Sequence, residues 1–178
     1  MHLVIMAAWE WSRMRPLTET TPKPLLKLCG KTIIEHNIED IIDDFDDIYM
    51  IVKYKKEVFP EVFGDSYKWH RVHYIEQGGS INGTGAAILA LRWKLQWEFI
   101  VVSGDDLYES SDIKKLAKQP WFATLCKAID KPENFGIFHC DASGKALSIV
   151  EKPTDPSLWN LANIWNHKFD DTIFEKLA

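Results

Sequence analysis

Short runs that stay apolar at every position constrain this 178-residue chain more than any other feature. Leu3–Ala8 (L-V-I-M-A-A) and Phe99–Val102 (F-I-V-V) have no polar alternation. That is the pattern of a strand buried on both faces. Between them the periodicity changes. Ile33, Ile34, Ile38, Ile41, Ile42 and Phe45 recur at three and four, a helical stripe. Asp47–Val52 reads as a second strand, Lys55–Phe63 as a short helix and Val72–Glu76 as a third strand; a glycine-bearing loop (Gly78, Gly79, Gly83, Gly85) then opens a helix over Ala86–Leu95. Beyond Phe99–Val102, Ser110 or Ser111 can cap a helix running to about Gln119. Phe122–Lys127, Gly136–Cys140 and Ala146–Val150 read as strands. Strand–helix alternation over the first two thirds predicts an α/β fold: a mostly parallel central sheet with helices on both faces. No repeat, low-complexity tract or linker divides the chain, so residues 1–178 read as one domain.

Composition removes several function classes. Against 21 Lys and Arg stand 26 Asp and Glu, a net charge of −5 that argues against a general nucleic-acid binder. No apolar run approaches the ~20 residues needed to span a bilayer, and the opening residues do not form a signal peptide. Cys29, Cys126 and Cys140 are odd in number and have no C-x-x-C spacing, which suggests neither a disulfide framework nor a zinc site and makes a reducing cytoplasm the default. Walker A, G-x-G-x-x-G and G-x-S-x-G motifs are absent, and the histidines lack metal-ligand spacing. One count stands out: eight tryptophans in 178 residues, well above the usual low share of this rarest residue.

Ligands of such sheets bind beyond the carboxyl ends of the strands, which directs attention to the loops after Ala8, Glu76, Val102 and Val150. The first brings Arg13, Arg15, Lys23 and Lys27 to a strand end, with Pro22 and Pro24 stiffening the backbone around Lys23. Cations so placed suit phosphate oxygens. Asp105 and Asp106 follow the F-I-V-V strand through Gly104, where a carboxylate needs solvent or a cation, and Mg²⁺ is the hard partner of phosphate chemistry. Gln77 and Gly83-Thr84-Gly85 border the same expected crevice; a Gln amide can read a nucleobase edge with one donor and one acceptor. Glu151-Lys152-Pro153 closes the last strand, with Glu suited to sugar hydroxyls and Lys to a phosphate.

Together these pieces resemble the sugar-phosphate nucleotidyltransferases, the glucose-1-phosphate thymidylyltransferase and mannose-1-phosphate guanylyltransferase group. The matching strings run in order along the chain: A-A-x-x-x-S-R-M-R-P-L-T with P-K-P-L-L, G-K-T-I-I-E-H-N-I-E, Y-I-E-Q with G-T-G-A-A-I-L-A, F-I-V-V-S-G-D-D, P-E-N-F-G-I-F, I-V-E-K-P and N-L-A-N. The resemblance implies transfer of a nucleoside monophosphate from a nucleoside triphosphate to a sugar-1-phosphate in nucleotide-sugar biosynthesis, releasing pyrophosphate. It gives Arg13 and Lys23 the triphosphate and Asp105 the Mg²⁺. Gln77, Gly83 and Thr84 would contact the base; Gly136, Glu151, Lys152 and Asn163 would position the sugar phosphate.

Three departures accompany the match. Trp9 and Trp11 stand where the family's first loop has glycines, and Trp165 replaces another glycine after Asn163. The chain also stops before the part of the family's catalytic domain expected to supply a second acidic metal ligand. A second reading therefore accompanies the first: an inert, engineered or repurposed derivative whose Trp-bearing surface binds a protein, an aromatic ligand or a second copy. Trp93 and Trp97, four apart on the predicted helix, and Trp69 and Trp121 would supply that surface. A third reading, a different activity built on His167 or Glu10, has no legible nucleophile–base pair behind it. The nucleotidyltransferase reading requires Arg13, Lys23, Asp105 and Lys152 to converge on one cleft.

Overall fold

A computed structural model describes residues 1–79, 83–120, 122–155 and 160–177. In chain order its elements are β1 (His2–Ala7), a hairpin of β2 (Lys27–Leu28) and β3 (Lys31–Thr32), α1 (Ile33–Ile38), β4 (Ile48–Val52), α2 (Val58–Phe63), β5 (Ser66–Tyr67), β6 (His70–Glu76) and α3 (Thr84–Leu89). There follow β7 (Phe99–Ser103), α4 (Ser110–Ala117), β8 (Ala123–Ala128), β9 (Gly136–Cys140), β10 (Ala146–Glu151), β11 (Leu161–Phe169) and α5 (Ile173–Lys176).

The sheet runs β10-β9-β11-β7-β1-β4-β6-β5, with β8 paired to β11. Its centre, β7-β1-β4-β6, is parallel throughout. These are the all-apolar strands, and the period of two explains why they can be apolar at every position. Leu3, Ile5 and Ala7 of β1, with Ile48, Met50 and Val52 of β4, face a core that includes Ile34 and Ile38 of α1, Phe59 and Phe63 of α2, and Ile113 and Leu116 of α4. Val4 and Met6, with Tyr49 and Ile51, face the opposite core, closed by Ala87 and Ile88 of α3 and Ile173 and Phe174 of α5. The α/β architecture with helices on both faces is therefore present.

Local chemistry explains the start of α1 but not that of α4, where the N-cap is Glu109 rather than the expected Ser110 or Ser111 and no side chain caps the helix. Thr32 accepts from the Glu35 amide while the Glu35 carboxylate accepts from the Thr32 amide, a capping box that starts α1. The apolar stripe predicts one helix through Phe45, but α1 stops at Ile38 and a 3₁₀ turn at Ile42–Asp44 carries the rest. The stripe stays buried all the same, since Ile34, Ile38, Ile41, Ile42 and Phe45 all lie in the core. The helix predicted to Leu95 stops at Leu89. Trp93 and Trp97, expected on one helix face, instead lie in a turn and a bend with φ of +70° and +71°, outside any helix. Of the other expected surface tryptophans, Trp69 is exposed and Trp121 lies outside the described residues.

Strand β11 departs most from expectation. Leu161–Phe169 (L-A-N-I-W-N-H-K-F) does not alternate cleanly, and its pairing with β8 is irregular between Asn163 and His167. It nonetheless joins the two halves of the sheet: it pairs with β9 at Leu161 and Ala162, with β7 at His167–Phe169, and with β8 at both places. Buried Lys168 anchors it, donating to the carbonyls of Ala117 and Gln119 at the end of α4 and to the Glu98 carboxylate at 2.9 Å. A helix C-terminus offers unpaired carbonyls, and a lysine there completes them.

Candidate active site

Strands β4 and β6 lie on one side of β1, and β7 on the other. The loops after β1 and β7 therefore diverge, leaving a crevice between them at the sheet's topological switch point. A cavity of about 490 Å³ lies there, lined by the first loop (Trp9 to Met14), Lys23, Ser103, Asp105, Asp106 and Trp165. Gly104 makes the arrangement possible. Its amide donates to the Met6 carbonyl at 3.0 Å, and a Cβ there would stand 2.8 Å from that same oxygen. Only glycine lets the chain leave β7 this close to β1 and present Asp105 at once.

Asp105 is the hub. Its Oδ1 accepts from Ser103 Oγ at 2.8 Å, and its Oδ2 accepts from Lys23 Nζ at 2.9 Å and Trp11 Nε1 at 2.8 Å. Asp106 beside it is exposed as a residue, but partial loss of solvent, reinforced by the charge of Asp105, raises its carboxyl above the usual range. Its backbone carbonyl is held by the Asn37 amide at 2.6 Å. Arg13 points into the cavity from the exposed loop and has no ion pair or hydrogen bond among the described residues. The loop itself is tethered: Thr18 Oγ donates to the Trp11 carbonyl at 2.7 Å, and Tyr54 Oη donates to the Thr18 carbonyl at 3.0 Å. Arg15, expected with the phosphate-binding cations, pairs instead with Glu10.

A second cavity of about 480 Å³ lies next to the first, sharing Trp9 and Glu10 and adding Ala8, Lys53, Tyr54, Gln77 and Gly83. Gln77 is buried, and its Nε2 approaches the Gly83 carbonyl at 3.4 Å. Thr84 begins α3 beside this cavity without lining it. Lys53 and Tyr54 were not anticipated. The signal was available, since they follow the carboxyl end of β4, a parallel strand that falls under the same rule as the others.

The remaining site candidates form a row across the antiparallel extension. Glu151 is registered with Gly136, and Ile137 with Ala162, so one step further brings Asn163 level with Gly136. A Cβ on Gly136 would lie 2.9 Å from Glu151 Oε2. Asn163 is buried and accepts the Trp165 amide at 3.0 Å. This row borders the first cavity through Trp165. Arg13, Lys23 and Asp105 thus share one cavity, whereas Lys152, expected with them, does not line it. Its amide bonds the Phe135 carbonyl at 2.9 Å, at the edge formed by β10. His167, the fallback candidate for a different chemistry, is packed against Phe169, and burial pushes its imidazole down to about 4.

The model of the nucleotidyl transferase family matches residues 2–178. The bifunctional protein GlmU of Methanocaldococcus jannaschii is 39% identical over 175 residues, which is 98% of this chain and 41% of that protein. The chain thus spans well under half the length of this relative. The UTP–glucose-1-phosphate uridylyltransferase AglF of Haloferax volcanii is 27% identical over 98% of this chain and 74% of its own length. Among solved structures, a glucose-1-phosphate thymidylyltransferase from Bacillus anthracis superimposes with a TM-score of 0.84 at 22% identity, covering 98% of this chain and 74% of its own. A UDP-glucose pyrophosphorylase bound to UDP-glucose gives 0.83 at 22%, covering 99% and 78%. At these identities the two structures establish the fold.

Proposed function

Because the chain belongs to the nucleotidyl transferase family, we propose that its paired cavities transfer a nucleoside monophosphate from a nucleoside triphosphate to a sugar-1-phosphate, releasing pyrophosphate. One observation carries the reading: Lys23, Asp105 and the unpaired Arg13 meet where the carboxyl ends of β1 and β7 diverge, beside a second cavity that holds a buried glutamine amide. The first cavity takes the triphosphate. Arg13 grips phosphate oxygens with its fork, and Lys23 supplies a point charge. Gln77 offers one donor and one acceptor to a base edge in the second cavity, with Gly83 and Thr84 at its rim. The row of Asn163, Gly136 and Glu151 takes sugar hydroxyls; Lys152, outside the first cavity, is left to meet the sugar's phosphate from the edge of that row.

Among the described residues no cluster of three metal-ligating side chains exists. That is compatible with Mg²⁺, which is commonly held by one or two carboxylates together with substrate phosphates. Asp105, with Asp106 beside it, would hold the ion. Bound there, it would neutralise phosphate charge as it develops. The sugar phosphate oxygen attacks the α-phosphorus in line, and the protein's task is alignment and charge compensation rather than covalent catalysis. A reducing cytoplasm suits the assignment: the three cysteines are free, and no described helix is long and apolar enough to cross a membrane.

The test is calorimetry with UTP and dTTP in Mg²⁺, followed by pyrophosphate release with a panel of sugar-1-phosphates. Binding should weaken about tenfold in Arg13→Ala, the loss of one charge-assisted contact. Absence of heat and of pyrophosphate, both for the chain as it stands and for its Trp9→Gly, Trp11→Gly variant, would overturn the reading.

A further inference from the structure

The tryptophans occupy the wrong places for tryptophan. A large aromatic residue normally buries most of its surface, yet none of the six described tryptophans belongs to the buried core. Trp69, Trp93 and Trp97 are 73%, 87% and 74% exposed. Trp93, Trp97 and Trp165 take φ of +70°, +71° and +59°, the left-handed region that glycine enters freely and a bulky residue does not. Trp93 lies in the turns that follow α3. Trp69 occupies the second position of the two-residue loop joining Tyr67 to His70. Among the described residues another two-residue hairpin loop, between Leu28 and Lys31, has Gly30 in that position with φ of +88°, whereas in the loop of Trp69 the positive φ falls on Lys68. Trp9 and Trp11 put two indoles into the wall of the first cavity, and the Trp11 indole takes the same Asp105 oxygen that Lys23 holds.

Positive φ is shared with Cys29, Lys55, Lys68 and Lys152, but among aromatic residues the anomaly belongs to tryptophan. Phenylalanine, as numerous as glycine in this chain, fills the core at positions 45, 59, 63, 99 and 174, and neither phenylalanine nor tyrosine has a positive φ among the described residues. A surface selected for aromatic contacts would draw on all three residue types. Glycine would relieve the backbone at positions 93, 97 and 165 and open the cavity at positions 9 and 11; at position 69 the case rests on exposure and on the place in the hairpin loop.

We infer that positions 9, 11, 69, 93, 97 and 165 are built for glycine and carry glycine in the protein made by its natural source, through a codon that this sequence renders as tryptophan. UGA is the codon that different decoding systems read as stop, tryptophan or glycine. In the glycine form the loop after β1 loses two indoles, so backbone N–H groups come within reach of phosphate oxygens and Asp105 exchanges the Trp11 donor for solvent or a cation. The consequence for nucleotides rests on the proposed function; the inference about the residues does not.

Gene sequencing, and mass analysis of peptides from protein purified from its natural source, should give UGA at these six codons and peptides lighter by the tryptophan–glycine difference. UGG codons, or peptides carrying tryptophan there, overturn the inference. Independently, a recombinant Trp93→Gly, Trp97→Gly variant, altered away from both cavities, should unfold at higher urea with an unchanged slope. An equal or lower midpoint also overturns it. Finally, the Trp9→Gly, Trp11→Gly variant should bind inorganic triphosphate at least tenfold more tightly than the tryptophan form. If the codon, mass and unfolding results hold and triphosphate does not bind, the glycine assignment stands and the nucleotide reading fails.

Discussion

Lys23 and Asp105 should show a coupling energy well above that of a surface ion pair. Their charged atoms are 2.9 Å apart and their side chains are 22% and 18% exposed. At that distance, with an effective dielectric of about 20, the bare Coulomb attraction is about 6 kcal/mol. Desolvation offsets most of it, because both groups have left most of their water. Solvent at the cavity mouth screens part of the remainder. A net coupling of about 1–2 kcal/mol is expected, against a few tenths for most exposed pairs. The assay is a double-mutant cycle in urea with Lys23→Met, Asp105→Asn and the double variant. Asp105→Asn alone should cost about 2 kcal/mol, since it weakens acceptance from both Lys23 and Trp11 and leaves a mostly buried ammonium without its counter-charge. The double variant should recover part of that loss. Raising the salt to about 1 M should reduce the coupling only modestly, because the pair is shielded from bulk ions. Coupling below about 0.5 kcal/mol, or coupling abolished by salt, would mean that the two side chains meet in open solvent and that the cavity is not organised around Asp105.

Gly104→Ala should cost about 2–3 kcal/mol in urea unfolding, because its Cβ would meet the Met6 carbonyl at 2.8 Å and Ile5 Cγ2 at 3.2 Å inside the packed sheet. Gly136→Ala, whose closest obstacle is the movable end of Glu151, should cost about 1 kcal/mol or less; equal costs would refute the distinction. The imidazole of His167, pushed down to about 4 by burial, is neutral in the folded chain and gains a proton near 6.5 when unfolded. The unfolded state then binds more protons between those values, so this stabilisation is complete above about pH 6.5 and is lost as pH falls toward about 4. His167→Asn should flatten that part of the stability–pH curve by about 1–3 kcal/mol relative to the parent, and parallel curves would refute it. Cys29 is exposed, whereas burial, aided by Cys140, pushes the Cys126 thiol up to about 11. Iodoacetamide at pH 8 should therefore label Cys29 at least tenfold faster than Cys126, as read by peptide mass.

The parallel centre of the sheet was legible in the chain because its signal is local. A strand buried on both faces must be apolar at every position, and Leu3–Ala8 and Phe99–Val102 are. The residues at their carboxyl ends were legible for the same reason: Lys23 between two prolines and Asp105 after Gly104 stand out without coordinates. Strand β11 was not legible. Its bulged run lacks a period, and it is a strand because β7, β8 and β9 offer it partners. The helix ends at Ile38 and Leu89 were hidden because burial of the apolar stripe continues through turns that are not helical.

Sequence alone determined which residue types stand at the strand ends, and therefore the kind of chemistry available there, since a buried strand's last residue leads straight into its loop. Tertiary structure decided which of those residues meet. Arg13, Lys23 and Asp105 share a cavity because β1 and β7 are neighbours in the sheet, while Lys152 stands apart because β10 is several strands away. It also exposed the conflict between the backbone and its tryptophans, because a left-handed dihedral is a property of the folded path, which the side chain sitting on it does not reveal.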